Sequence, residues 1–231
     1  MTSGPDPNPG PNPDPNPGVN PGPNPGLNHR KMPMFPLGSV LFPGQLLPLQ
    51  IFEPRYHVMM TEVLAHDGQF GVVLIDRGSE VGGGDHRTDV GCVATVEEAR
   101  VIDESRVGIV ARGSHRVRIN EWLADDPYPA AMVEPVIDRE RTAEIPPATM
   151  HACRSQLERL VALVAPGTQI LLPELAPRAL ADHVSARFGF GPFDAQRLLA
   201  TYSAIEQFDV LNGLLADAIA FIELQRSSPL E

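Results

Sequence analysis

The stretch LFPGQLLPLQIFEPRY, residues 41–56, is apolar but is interrupted by Pro43, Pro48 and Pro54. Proline cannot donate a hydrogen bond to a β ladder, and it breaks the interior of a helix. It fits regular structure in a turn, in an edge strand or in the first turn of a helix. We therefore predict a turn at Pro43 and Gly44, an edge strand through Pro48 and a helix that begins at Pro54.

Short strand-like segments surround this stretch from Met32 to about Ile137. They are residues 34–37, 46–52, 69–75, 90–102, 106–113, 115–122 and 130–137. We expect the segments 106–113 and 115–122 to form a hairpin around Gly113 and Ser114. Many short strands at close spacing are typical of a barrel or a curled sheet.

Helical periodicity occurs at two places in the chain. After Pro54, apolar residues recur with the spacing of an amphipathic helix, at Tyr56, Met59, Met60, Val63 and Leu64. Beyond Pro146 and Pro147 the pattern is helical throughout, with segments to about 165, at about 173–188, from 192 and at about 204–226. The chain is therefore predicted to be α+β, with a β-rich subdomain over residues 31–140 and a helical bundle over residues 146–226.

The N-terminal region has a different composition. The first 28 residues are a degenerate Pro-Asn-Pro-Gly repeat with almost no apolar side chains, so residues 1–30 are predicted to be a disordered tail. The start is not basic and then apolar, as in a secretory signal. Residues 204–224 carry too many polar groups for a membrane span. We predict a cytoplasmic protein with no membrane partner and with buried thiols at Cys92 and Cys153.

Composition argues against several kinds of chemistry. Lys31 is the only lysine, and a GxxxxGK[ST] motif is absent, so a Walker-type ATPase and a Ser-Lys dyad are not expected. The histidines are scattered without an HExxH motif or a His/Cys cluster. Asp85-His86 and Ser114-His115 are adjacent pairs in presumed loops, which do not make a hydrolytic triad. We predict no catalytic residue, no metal and no cofactor.

Basic residues leave one alternative open. Arg116 and Arg118 share a strand face by period-two alternation, with Arg112 nearby. They are exposed partners of carboxylates, the favoured interpretation, or an anion or RNA site. The net charge of −11 makes a nucleic-acid partner the weaker hypothesis.

The chain resembles a known family in several quoted blocks. FPLGSVLFPGQLLPLQIFEPRYHVMM (35–60) is similar to the start of the Lon-type N-terminal domain, with its "lFPg" turn and "lPLxIFEpRY" segment. FGVVLI (70–75) and VGCVATVEEARVIDESRVGIVARGSHRVRI (90–119) resemble its next strands, and LADHVSARFGFGPFDAQRLLATYSAIEQFDVLNGLL (180–215) its helical part. The sequence departs from the pattern at Asn212-Gly213 and in the insertion at residues 76–89.

The resemblance implies a curled, PUA-like β-barrel followed by a helical bundle. It also implies a non-catalytic module that recognises unfolded or degron-bearing protein segments, as an adaptor for proteolysis or quality control, with a separate protease or chaperone as a further partner. An RNA-binding PUA-like domain and a peptidase assigned by homology, without its own catalytic machinery, remain the alternatives. We expect the peptide contacts at Phe42, Leu46, Leu47 and Tyr56, and expect Phe42→Ala to weaken binding without lowering the melting temperature.

Overall fold

The protein is described by a computed structural model that covers residues 29–77, 86–103, 105–138 and 144–227. The strands are β1 (Arg30–Leu37), β2 (Leu46–Ile51), β3 (Gln69–Arg77), β4 (His86–Val101), β5 (Val107–Trp122) and β6 (Ala130–Pro135). The helices are α1 (Pro54–Ala65), α2 (Pro147–Val164), α3 (Pro177–Arg187), α4 (Pro192–Ala200) and α5 (Ala204–Ser227). The predicted α+β class is confirmed. The tail prediction falls on residues 1–28, outside the described residues, except that Arg30 already belongs to β1.

Five strands close into a barrel and the sixth extends it. The order is β2-β5-β4-β3-β1-β6, and β6 also pairs with β5. The long strand β5 makes this possible, because its first half pairs with β2 and its second half with β6. As a result β2 has β5 on one side only within the described part of the chain, which confirms the edge strand predicted from Pro48.

Alternate residues of the strands supply two separate apolar clusters. Met34, Val73 and Val93 belong to one cluster, and their neighbours Phe35, Val72 and Cys92 belong to the other. This alternation follows from the period of two along a strand. The second cluster is covered by α1, which buries Tyr56, Met59, Met60 and Val63 as predicted. Leu64, also assigned to that stripe, is instead 48% exposed.

The hairpin predicted around Gly113 and Ser114 is wrong. Strand β5 runs without interruption through both residues, and the turn lies earlier, where Ile102 N donates to Arg106 O at 2.9 Å. Gly113 is required for close approach rather than for a turn, because a Cβ there would overlap the backbone carbonyl of Phe42. A local reading of the sequence mistakes this long-range requirement for a turn signal.

The helical part packs on the barrel through a shared core. Leu157, Leu198, Phe208 and Leu211 are fully buried, and Phe42 from the β-rich part joins their cluster. Helices α2 and α5 lie side by side in the same direction, as further contacts between them indicate: Asn212 to Thr149, Arg159 to Glu223 and Arg226 to Leu163. Helix α3 begins at Pro177, a few residues later than predicted.

Candidate functional site

The start of β2 is fixed by a tight turn. Gln45 N donates to Phe42 O at 3.1 Å, and Gly44 takes a φ of +82° that glycine adopts without strain. Pro43 and Gly44 therefore occupy the two central positions, in the order that a type II turn prefers. The Gln45 side chain closes the turn from the other end, because Phe42 N donates to its Oε1 at 3.0 Å. The predicted Pro43-Gly44 turn is confirmed.

The same contacts establish which way the backbone of β2 faces. Gly113 N donates to Gln45 O at 2.9 Å, and Gly113 O accepts from Gly44 N at 2.7 Å, so Gly113 directs both groups towards β2. Backbone groups alternate sides along a strand. With Leu47 opposite Ala111 and Leu49 opposite Ile109, these residues bond to β5.

The outer edge of β2 is thus formed by the remaining residues of the strand. Leu46, Pro48 and Gln50 direct their backbone groups away from β5, and within the described residues no strand pairs with them. This edge offers three carbonyl groups but only two N–H groups, since Pro48 has none. An unpaired edge is a template for an extended segment of another chain.

A small pocket lies at the C-terminal end of this edge. Its volume is about 90 Å³, and it lies between β2, the second half of β1 and the start of α1. The lining residues are Phe35, Leu37, Leu49, Gln50, Ile51, Phe52, Glu53 and Tyr56. The pocket is therefore apolar with polar groups at its rim, as is typical of a site that accepts a side chain.

Aromatic stacking makes one side of the pocket rigid. The rings of Phe35 and Tyr56 are stacked at 4.2 Å between centroids, with 19° between their planes. Arg55 covers the Tyr56 ring at 4.6 Å and is held by Glu53 through a 3.0 Å contact between Nε and Oε2. The arginine thus shields the aromatic pair and fixes the orientation of a carboxylate at the pocket rim.

The four residues predicted to contact a peptide divide into two pairs. Leu46 is 48% exposed on the outer edge and Leu47 is half-buried, so both are accessible. Phe42 and Tyr56 are only 2% and 3% exposed. Phe42 belongs to the core of the helical part, and Tyr56 lines the pocket from within. Burial corrects the expectation that Phe42 presents its side chain to a partner.

Sequence reasoning missed Phe52, which lines the pocket and is 56% exposed. Alternation along β2 could have found it, because Phe52 continues the outward series of Leu46, Pro48 and Gln50. Phe35 had no such signal. Its place beside Tyr56 depends on how β1 and α1 meet in space, which no local pattern contains.

The three arginines considered for an RNA site are all engaged within the protein. Arg112 pairs with Glu97, at 2.5 Å between Nε and Oε1, and also donates to Gly44 O. Arg118 donates to the Tyr202 hydroxyl and lies over its ring. Arg116 is only 6% exposed. The expectation that these are exposed strand arginines is therefore right for Arg112 and wrong for Arg116.

Arg116 belongs to a buried polar cluster that joins the barrel to the helices. It donates to the carbonyl oxygens of Leu199 and Thr201 at the end of α4, and pairs with Asp138. Arg178 lies 3.8 Å from the same carboxylate and donates to Thr201 Oγ1 at 3.0 Å. Burial, reinforced by the positive charge of Arg116, lowers the pKa of Arg178 to about 10. The cluster serves docking of the two parts rather than anion binding.

Asp182 completes this cluster from α3. Its carboxylate accepts from Gln207 Nε2 at 2.8 Å and lies 3.8 Å from Arg178 Nε. Burial raises its pKa, against the opposing effect of the Gln207 hydrogen bond and the two arginines. A buried carboxylate with these partners is accounted for by structure and needs no catalytic role.

The other candidates for chemistry fail on geometry. Ser114 Oγ lies 3.0 Å from His115 Nδ1, but the charge that acts on His115 is that of Arg30, which together with burial lowers its pKa. A hydrolytic triad has a carboxylate in that place. Among the described residues, no three His, Cys, Asp or Glu side chains are grouped closely enough to hold a metal ion. His86 contacts Asp76 at 2.6 Å, and Asp85 lies outside the described residues.

A larger cavity lies in the helical part, away from β2. It has a volume of about 530 Å³ and is lined by α2, the segment 168–173 and α3. Leu171 at its edge is 89% exposed, and His183 and Arg187 add polar groups. It is the larger concavity, but it offers no unpaired strand edge beside it, so we give β2 precedence. In the part of the chain that is described, no helix is long and apolar enough to cross a bilayer.

Comparison with known proteins shows where this architecture recurs. Residues 31–217 match the model of the ATP-dependent protease La (LON) substrate-binding domain. The chain is 25% identical over 202 residues to Lon protease 2 of Bdellovibrio bacteriovorus, covering 84% of this chain and 25% of that protein. It is 28% identical over 178 residues to Lon protease of Anaeromyxobacter dehalogenans, covering 74% and 21%. It thus spans about a quarter of these relatives.

Solved structures share the fold. A Lon N-terminal domain protein from Xanthomonas campestris superposes with a TM-score of 0.59 at 23% identity, covering 81% of this chain and 98% of that one. The N-terminal domain of Lon protease from the Mycobacterium avium complex gives 0.58 at 17% identity, covering 81% and 99%. The barrel with appended helices is therefore a shared architecture.

Proposed function

The chain belongs to the family of the LON substrate-binding domain, and from this premise we propose that it is a non-catalytic recognition module for extended protein segments. Its partners are unfolded or degron-bearing chains, which it holds for a separate protease or chaperone. In this role the protein is an adaptor for proteolysis or quality control.

One observation carries the choice of site: the outer edge of β2 is unpaired and ends at an apolar pocket. An extended segment placed along Leu46, Pro48 and Gln50 gains backbone hydrogen bonds that do not depend on its sequence. One of its side chains enters the pocket beside Phe52. Backbone pairing with a single small pocket gives broad and weak selectivity, which suits a module that recognises many unfolded chains.

The absence of catalysis in this proposal rests on the available side chains. Lys31, the only lysine of the chain, is exposed on β1 opposite Met132. A lysine that acts as a general base is desolvated, and an exposed one does not meet that condition. Cys92 and Cys153 are buried thiols, and burial raises their pKa to about 12 and about 11. Thiols of this kind are poor nucleophiles.

Binding to a permanently unfolded, carboxymethylated protein tests the proposal. We expect the purified protein to retain this probe in a pull-down and to leave the same protein in its native state unbound. Phe52→Asp should weaken retention at least several-fold, because it places a charge at the pocket rim. Leu171→Asp is the matched control, since Leu171 is more exposed but borders the cavity of the helical part.

The outcomes separate the function from its location. Equal retention of unfolded and native probe, or retention no better than bare beads, contradicts the function. Loss of retention in Leu171→Asp with an unchanged Phe52→Asp contradicts the assignment to β2 and moves the site to the helices. Turnover of peptide or ATP that a single substitution abolishes would contradict the non-catalytic role.

A further inference from the structure

We propose that Pro48 sets the selectivity of the β2 edge, admitting an extended client strand and excluding a second copy of this chain. The proposal rests on the function proposed above and names a residue that controls it. Pro48 lies opposite Val110, in the middle of a six-residue strand, with its side chain exposed. Its backbone faces outward, so the missing N–H lies at the centre of the free edge.

Pairing between two copies fails at this residue. Two identical edges meet most completely in an antiparallel arrangement related by a two-fold axis, which places Leu46 opposite Gln50 and Pro48 opposite Pro48. Each outward-facing pair normally exchanges two hydrogen bonds. The central pair would exchange none, because neither proline has a donor. Both Pro48 carbonyls would be covered without a partner, which is unfavourable.

A shifted register does not rescue self-pairing. Moving one edge by two residues places Pro48 of each copy opposite Leu46 of the other, so each of these pairs loses one hydrogen bond. Gln50 of both copies is then left outside the ladder. The edge therefore disfavours pairing with itself in either register, as expected of strands that avoid edge-to-edge association.

A client strand meets a smaller penalty. When its residue opposite Pro48 is not proline, that residue donates its N–H to the Pro48 carbonyl, and only the reverse bond is absent. Leu46 and Gln50 keep both of their hydrogen bonds. The client carbonyl without a donor lies beside exposed Pro48 and is open to water.

The side-chain arrangement defines the class of client. Residues directly opposite each other across a ladder share a sheet face. Client residues opposite Leu47 and Leu49 thus lie on the face of the half-buried leucines and the pocket. The preferred client is an extended segment with apolar side chains at alternate positions on that face, and without proline opposite Leu46 or Gln50.

Pro48→Ala tests the proposal because it adds the missing donor. Sedimentation equilibrium should show self-association at least tenfold tighter than for the unmodified chain. Pro54→Ala is the control, since it removes an exposed proline at the start of α1 without changing the edge. The double variant Pro48→Ala/Gln50→Pro removes a different outward N–H and should reverse the association. Circular dichroism and urea unfolding confirm that each variant is folded.

Client binding is measured in parallel with a fluorescent synthetic peptide carrying valine at every second position, at protein concentrations below self-association. Pro48→Ala should bind it a few-fold more tightly. An unchanged association state of folded Pro48→Ala overturns the proposal, whether or not the peptide binds. Self-association of Pro48→Ala without any peptide binding to the unmodified chain supports the block on self-pairing and overturns the recognition function.

Discussion

Gly113 of β5 lies directly against the backbone of Phe42, so close that a Cβ at residue 113 would overlap the Phe42 carbonyl. This contact holds the turn that precedes β2 against the barrel, since Gly113 also exchanges hydrogen bonds with Gly44 and Gln45. The same turn places Phe42 in the core of the helical part. One close approach thus sets the start of the candidate edge and connects the barrel with the helices.

Gly113→Ala should destabilise the protein by about 1–3 kcal/mol, the range for overpacking a closely packed site. The obstacle is backbone, which cannot rotate away as a side chain can. Urea unfolding followed by circular dichroism measures the change. Gly213→Ala is the control: Gly213 lies within α5, has nothing within 4 Å of an added Cβ, and gains helix propensity of about 1 kcal/mol. Equal stability of the two variants would contradict the close approach.

Phe42→Ala should lower stability by about 3–5 kcal/mol, because it removes a fully buried aromatic side chain. This replaces the expectation from sequence that the substitution weakens binding without lowering the melting temperature. Leu46→Ala, at a 48% exposed position on the same segment, should change stability by less than about 0.5 kcal/mol. A thermal melt of both variants decides. An unchanged melting temperature for Phe42→Ala would restore it as a surface residue.

The sequence supports the local features of this region well. The Pro43-Gly44 turn, the edge strand through Pro48 and the helix start at Pro54 follow from proline and glycine chemistry that acts within a few residues. The role of Gly113 does not, because its partner Phe42 is distant in the chain. Arg116 is similar. Alternation correctly groups it with Arg118, and both do contact the connection between α4 and α5, but burial of Arg116 comes from helices that follow much later.

Arg116→Met should destabilise the protein by about 3–5 kcal/mol, as expected when one partner of a buried ion pair is removed. The carbonyls of Leu199 and Thr201 lose a donor, and Asp138 keeps only the more distant Arg178. Arg159→Met is the matched control, because Arg159 forms an exposed pair with Glu223 and should contribute below about 1 kcal/mol. Chemical unfolding of both proteins gives the comparison. Similar values would show that the Arg116 cluster is not needed for docking.

Stability should fall as the pH rises above about 9, and Cys92 supplies part of this dependence. Burial raises the pKa of its thiol from 9.0 to about 12. In the unfolded chain the thiol ionises from about pH 9, whereas in the folded chain it stays protonated. The folded state then binds more protons, so the free energy of unfolding decreases with pH, by up to about 1.4 kcal/mol per pH unit for each such thiol. Below pH 9 both states are protonated and the effect vanishes.

The comparison is made between pH 9 and pH 10, because Tyr128 and Arg178 also have shifted pKa values that contribute at higher pH. Cys92→Ala lowers stability at every pH by removing a buried side chain, but its slope with pH should be shallower than that of the unmodified chain. Cys153→Ala should reduce the slope in the same way, because burial also raises the pKa of that thiol. Urea midpoints at several pH values give the slopes. Identical slopes in all three proteins would mean that neither thiol is protonated by burial, against the packing of Cys92 beneath Gly113.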